Sequence, residues 1–307
     1  MWRRGSVRAI ACTMNCSRCV LLTVVAVAIA SPARAESDRD RQLRSLVAAQ
    51  VAAINAHDPK AFAATFDADR GFAILPAAAD EGEGSAAITV AAKHWLTALG
   101  SATVKLDQPH YGSSWFDAQL VVSTGARLRI TGVTISQQPD GDKIKLGAVH
   151  ISEPVEDKVV MASIDKLPAL PKLGDGGDRS SIDGPDKIAT FANRMFDTQM
   201  DGAPDPGDVV IGSAPSEHAI GKVAAGKLLA SWKSLKMTSV AVVRTKDPDD
   251  MLIVWFVAHV NATTTNHGKS VTIPYRVLTI VMEPWAAAAD RGAKSSLVSA
   301  HFSVATH

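Results

Sequence analysis

Apolar positions run first at helical spacing and then in alternation, and the whole succession occurs twice. Leu43, Leu46, Val47, Val51 and Ile54 mark one face of a helix. Asp58-Pro59 restarts it, with Asp58 as N-cap and Pro59 at the first helical position, and Phe62 and Phe66 continue the apolar face. Phe72 to Leu75 reads as a short strand. Beyond Gly82, Gly84 and Ser85, a third helix turns Ile88, Ala91, Ala92, Trp95 and Leu99 inward. The period then becomes that of strands: Val104 and Leu106, Phe116 to Ser123, Arg127 to Ser136 and, past the Pro139-Asp140-Gly141 turn, Lys143 to Ile151. Helices followed by an antiparallel meander predict an α+β domain whose helices cover one face of a curved sheet.

From Glu156 onward the composition shifts to Pro168, Pro171 and Gly174-Asp175-Gly176-Gly177-Asp178, which suits a linker. The same element order then returns. Ile188, Phe191, Met195 and Phe196 give a helical face, Val209 to Ile211 a short strand, and Lys222 to Leu235 a helix with Leu228, Leu229 and Trp232. Strands follow at Ser239 to Arg244, Leu252 to Asn261, Val271 to Met282 and Ser296 to Thr306. Gly71 to Trp95 lies over Asp208 to Trp232 at an offset of 137, and His150 and Ser152 lie over His301 and Ser303 at an offset of 151. The difference is assigned to longer hairpins at Thr263 to Gly268 and Trp285 to Gly292. A shared order of matches and elements predicts an internal duplication: one domain at 39–157, a linker at 158–184 and a second domain at 185–307.

The N-terminus changes the chemistry available. Arg3, Arg4, Arg8 and Arg18, the apolar run Cys19 to Ala30 and the small residues around Ala33 and Ala35 form the three parts of a cleavable signal peptide, residues 1–35, with Met1 or Met14 as the start. The run is shorter than the roughly 20 residues a membrane-spanning helix needs. Export to the periplasm or beyond is therefore expected, without stable membrane insertion. All 3 cysteines lie in this leader, so cleavage leaves no disulfide, thiol nucleophile or lipid-anchor cysteine. It also moves the net charge from +1 to about −4, which gives no reason to expect nucleic acid as a partner.

Ala53-Ile54-Asn55-Ala56-His57-Asp58, Phe62 to Phe66, Asp67-Ala68-Asp69, Phe72, the helix ending near Trp95 and His150-x-Ser152 together resemble the SnoaL-like branch of the nuclear transport factor 2-like superfamily. Trp232, the strand order and His301-x-Ser303 carry the likeness in the second half, where Asp201 to Asp208 is too rich in Pro and Gly for a second helix. The resemblance implies two cone-shaped α+β barrels in tandem, each with N-terminal helices packed in a curved sheet, and the possibility that the two sheets pack on each other as an intramolecular pseudo-dimer. That superfamily spans enzymes and binding modules, so fold alone selects no activity.

His150 and His301 in the closing strands are the candidate general bases, if they point into the cones; the alternative is a pair of histidines hydrogen-bonded between strands, with Ser152 or Ser303 on the same face. Trp255, His259 and Tyr275 alternate with apolar residues and, with Trp95 and Trp232, are candidate pocket-lining residues, against a simple packing role. Asp67 and Asp69 are candidate cavity carboxylates or a capped turn. An isomerase of the superfamily's kind would need a tyrosine in the opening helix, whereas the 2 tyrosines are Tyr111 and Tyr275. The 9 histidines show no metal-ligand spacing, and no motif points to a cofactor. The leading expectation is a non-catalytic module that binds a small apolar ligand or a protein partner. The competing one is an enzyme with a last-strand histidine as base.

Overall fold

In the computed structural model, which describes residues 37–112, 114–136, 143–170, 173, 209–229, 234–246, 252–266, 268–283 and 296–304, polar breaks place the first helices. α1 (Asp38–Asn55) opens on a reciprocal cap. The Ser37 hydroxyl accepts from the Asp40 N–H at 3.1 Å, and the Asp40 carboxylate accepts from the Ser37 N–H at 3.1 Å. At its other end, the Asn55 amide donates to the Val104 carbonyl (3.0 Å) and accepts from the Val104 N–H (2.7 Å), as a neighbouring strand would. His57 takes a positive φ of 51°, and Asp58 accepts from the Lys60 and Ala61 N–H groups to start α2 (Pro59–Ala64). The Asn/His/Asp break thus pins a strand, turns the chain and caps a helix.

β1 (Phe72–Ile74), β2 (Glu81–Glu83), β3 (Val104–Tyr111), β4 (Trp115–Val122), β5 (Arg127–Ser136) and β6 (Ile144–Ser152) form one sheet in the order β2-β1-β6-β5-β4-β3. It is mixed rather than wholly antiparallel, because β1 and β6 run parallel. The chain leaves β1, passes through β2, α3 (Gly84–Leu99) and three further strands, and that long crossover returns it in the same direction. On one face α1, α2 and α3 bury Leu43, Val47, Ile54, Phe62, Ile88 and Trp95 against sheet residues such as Phe116, Leu120 and Val149.

The second half repeats the plan. β7 (Val209–Ile211), β8 (His218–Ile220), β9 (Ser234–Lys246), β10 (Leu252–Asn266), β11 (Lys269–Glu283) and β12 (Ser296–Val304) are ordered β8-β7-β12-β11-β10-β9, with β7 and β12 again parallel. The helix expected at Lys222 to Leu235 is α5 (Lys222–Leu229), and Ser234 and Leu235 already belong to β9. Part of the stretch expected to be linker is structured: α4 (Asp157–Ala162) and a 3-10 turn (Ile164–Lys166) follow β6. Val160 is buried there, and Val155, Met161, Ile164 and Leu167 pack with it against Phe256, Val260, Tyr275 and Phe302. Apolar spacing in this segment overrides the Pro- and Gly-rich composition that begins after it. The leader at 1–35, the linker positions 171–172 and 174–184, the helical face at Ile188 to Phe196 and the Trp285 to Gly292 hairpin lie outside the described residues.

One irregularity recurs in the two sheets. Pairing shifts between Val133 and Thr134, where Gly147 is an extra residue in β6, and between Ile280 and Val281, where Val298 is an extra residue in β12. A bulge of this kind resets which side chains face which side of a sheet. Leu146, Val149 and Ile151 therefore join the helix-covered core, while Ala148 turns to the opposite face.

Candidate functional site

The faces without helices meet. Phe72, Ile74, Trp115, Val133, Ile135 and Ala148 of the first sheet share one buried cluster with Ile211, Trp255, Val257, Leu278, Ile280 and Val298 of the second. Inside this apolar seam lie the two candidate bases. His150 and His301 are both 0% exposed, and their rings stack at 3.9 Å with an interplanar angle of 20°. His150 Nε2 is 2.7 Å from Ser303 Oγ, and His301 Nε2 is 2.7 Å from Ser152 Oγ. The hydrogen-bonded reading of the two motifs thus describes the geometry, except that each histidine uses the serine of the other half.

The symmetry is incomplete at the outer ring nitrogens. His301 Nδ1 is 3.1 Å from Thr131 Oγ1, whereas His150 Nδ1 has no partner of hydrogen-bonding geometry. Thr131 sits opposite His150 in the first sheet, and the corresponding place opposite His301 is Leu278, which offers no hydroxyl. Burial pushes both imidazoles well below the usual value of 6.5. The neighbouring His301 and Arg276 add to this at His150, and Arg129, His218 and Arg276 do so at His301. A serine 2.7 Å from an imidazole has the spacing of a nucleophile and its base. Here both partners are sealed from solvent, no carboxylate among the described residues is hydrogen-bonded to either ring, and the two bonds join one sheet to the other.

Two arginines close the seam in opposite directions. Arg129 of β5 donates to the carbonyls of Gly212 (2.5 Å), Ala214 (2.7 Å), Pro215 (2.8 Å) and Glu217 (3.1 Å) in the loop after β7. Arg276 of β11 donates to the carbonyls of Leu75 (2.7 Å), Pro76 (2.8 Å) and Ala77 (2.8 Å) after β1. Burial lowers both guanidinium groups, Arg276 to about 10, which leaves Arg276 charged at neutral pH. Carboxylates offset them. Glu81 Oε1 lies 3.7 Å from Arg276 Nε and its other oxygen 2.9 Å from His259 Nε2, all three side chains being buried. Near Arg129, Asp117 lies 3.2 Å from His110 Nδ1 and 3.8 Å from His218 Nε2, and burial raises both Asp117 and Glu217.

The remaining expected site residues are dispersed. Trp95 is in the first core, edge-on to Phe62 at 6.1 Å, and Tyr275 is in the second, edge-on to Phe302 at 6.1 Å. Trp255 lies in the seam against Gly147, and His259 at its edge. Asp67 accepts from the Asp69 and Arg70 N–H groups and from the Arg70 guanidinium, so it is a capped turn; those Arg70 contacts outweigh burial and lower it, and Asp69 is exposed. Trp232 lies outside the described residues. His150 and His301 do not face the helix-covered cores, because the bulges turn them to the seam. Arg129, Arg276, Glu81 and Asp117 are the consequential residues absent from the expected set; their signal is a charge inside an apolar strand or turn.

No protein-family model matches the chain, and no curated protein matches it. The solved structures it resembles include an NTF2-like protein of unknown function from Pseudomonas putida KT2440, at 19% identity, covering 39% of this chain and 89% of that one with a TM-score of 0.31. A SnoaL-like protein of unknown function from Burkholderia thailandensis E264 is 12% identical, covering 36% of this chain and 94% of that one, TM-score 0.31. The epoxide hydrolase/cyclase-like enzyme SalBIII, described in pyran ring formation in polyether salinomycin, is 19% identical, covering 38% and 95%, TM-score 0.29.

Proposed function

We propose that the chain is an exported pair of SnoaL-like domains, duplicated in tandem and docked as an intramolecular pseudo-dimer, that acts as a non-catalytic binding module for a small, largely apolar molecule. Shared strand order and equivalent bulges support the duplication. Among the described residues no helix is long and apolar enough to cross a membrane. The reading against catalysis rests on the seam: the two histidines with the best claim to act as bases are consumed in joining the halves.

Gln50 supports the ligand part. It shares the inward face of α1 with Leu43, Val47 and Ile54, is 0% exposed, and has neither amide atom hydrogen-bonded. An unpaired buried amide costs about 1–3 kcal/mol, which a ligand with one polar group in an apolar body would recover. Thermal-shift and native mass spectrometry against medium- and long-chain fatty acids, fatty alcohols and fatty amides test this. The expected result is a stabilising ligand whose effect is lost in Gln50→Leu, a variant about 1 kcal/mol or more stabler than the parent in urea without ligand. No shift across the series, or one unchanged in Gln50→Leu, contradicts it. Because both open sheet faces are used internally, light scattering should give a monomer; a stable dimer contradicts the pseudo-dimer.

A further inference from the structure

The seam joins the halves through groups whose charge depends on pH. His150 and His301 stack face to face with no solvent contact, and their hydrogen bonds run to Ser303, Ser152 and Thr131, all neutral hydroxyls. We propose that this stack makes the docking of the two sheets acid-sensitive, so that the seam opens on acidification while the first half keeps its separate helix-covered core. This rests on the pseudo-dimer reading above, and not on its ligand.

Closed, the rings are held neutral by burial first and by neighbouring positive groups second. Arg276 acts on both rings from β11, and Arg129 from β5 and His218 from β8 act on His301. The carboxylates at the seam's ends are already engaged: Glu81 with Arg276 and His259, Asp117 with His110 and His218, and Asp80 with His94 at 2.6 Å. Glu217 lies on the loop that Arg129 grips. None of these is bonded to either stacked ring. Opened to water, each ring takes a proton in the ordinary range near 6.5. The open state therefore binds more protons than the closed one below that range, and the docking present above it is lost as the pH falls. His218, also pushed down by burial, adds to this. Asp117 and Glu217, pushed up, work in the opposite sense; the two stacked rings, completely buried inside the seam, are the groups that opening exposes to water most fully.

Small-angle scattering and far-UV circular dichroism of the whole chain between about pH 7.5 and about pH 4.5 test the proposal. The expected result is a reversible rise in radius of gyration with strand and helix signals kept, and a shift of that rise to lower pH or its loss in the double variant His150→Gln, His301→Gln. No expansion, or the same expansion in the variant, overturns it. If the variant does not fold, ring resonances of the parent decide. Rings that stay neutral until expansion begins support the proposal, and rings that titrate near the ordinary value while the chain stays compact overturn it.

Discussion

Replacing Arg276 by alanine is expected to lower stability by about 3–5 kcal/mol, a drop in Tm of roughly 10 °C for a chain of this size. The guanidinium is completely buried and satisfies three consecutive carbonyls, those of Leu75, Pro76 and Ala77, across the seam. Truncation removes the guanidinium from all three, leaving Ala77 only its bond from the Asp80 N–H, and leaves Glu81 as a buried carboxylate with His259 as its remaining close partner. The cost is then mostly that of stranded polar groups rather than of the pair itself. Adding Glu81→Gln to Arg276→Ala should restore part of the loss. Urea unfolding measures both, and a loss below about 1 kcal/mol for Arg276→Ala would show that the loop after β1 is not held from the second sheet.

Trp255→Ala should cost a similar amount, about 3–5 kcal/mol, for a different reason. Its ring is 1% exposed and lies against Gly147, where a side chain on that glycine would stand 3.0 Å from the indole. The indole N–H has no partner, so the variant loses no hydrogen bond and the effect is packing alone. Chemical unfolding of Trp255→Ala beside Trp255→Phe separates the causes: the phenylalanine variant should recover most of the loss. A harmless Trp255→Ala would mean that the two sheets do not share a dry core.

How far these features were legible varies with the kind of signal each leaves. Asp58-Pro59 announced α2 because a cap and a proline act locally, and the faces of α1 and α3 followed from spacing. The recurrence of His150-x-Ser152 as His301-x-Ser303 was visible, as was a hydrogen-bonded role. Their side of the sheet was hidden, since single extra residues, Gly147 and Val298, break the alternation from which orientation is read. β2 and β8 are three residues each and partly polar, too short for any period. The arginine clamps bind main-chain carbonyls, and a carbonyl carries no residue identity for a pattern to reveal. α4 is six residues long and sits just before a Pro- and Gly-rich stretch whose composition dominates the segment.

Residues about half the chain apart meet in one buried seam, and a double-mutant cycle between Ser152 and His301 tests this most directly. The two are 149 positions apart and 2.7 Å from each other. With Ser152→Ala, His301→Gln and the double variant compared in urea unfolding, the predicted coupling is about 1 kcal/mol or more. Additive effects, within about 0.5 kcal/mol, would contradict the docking of the two sheets.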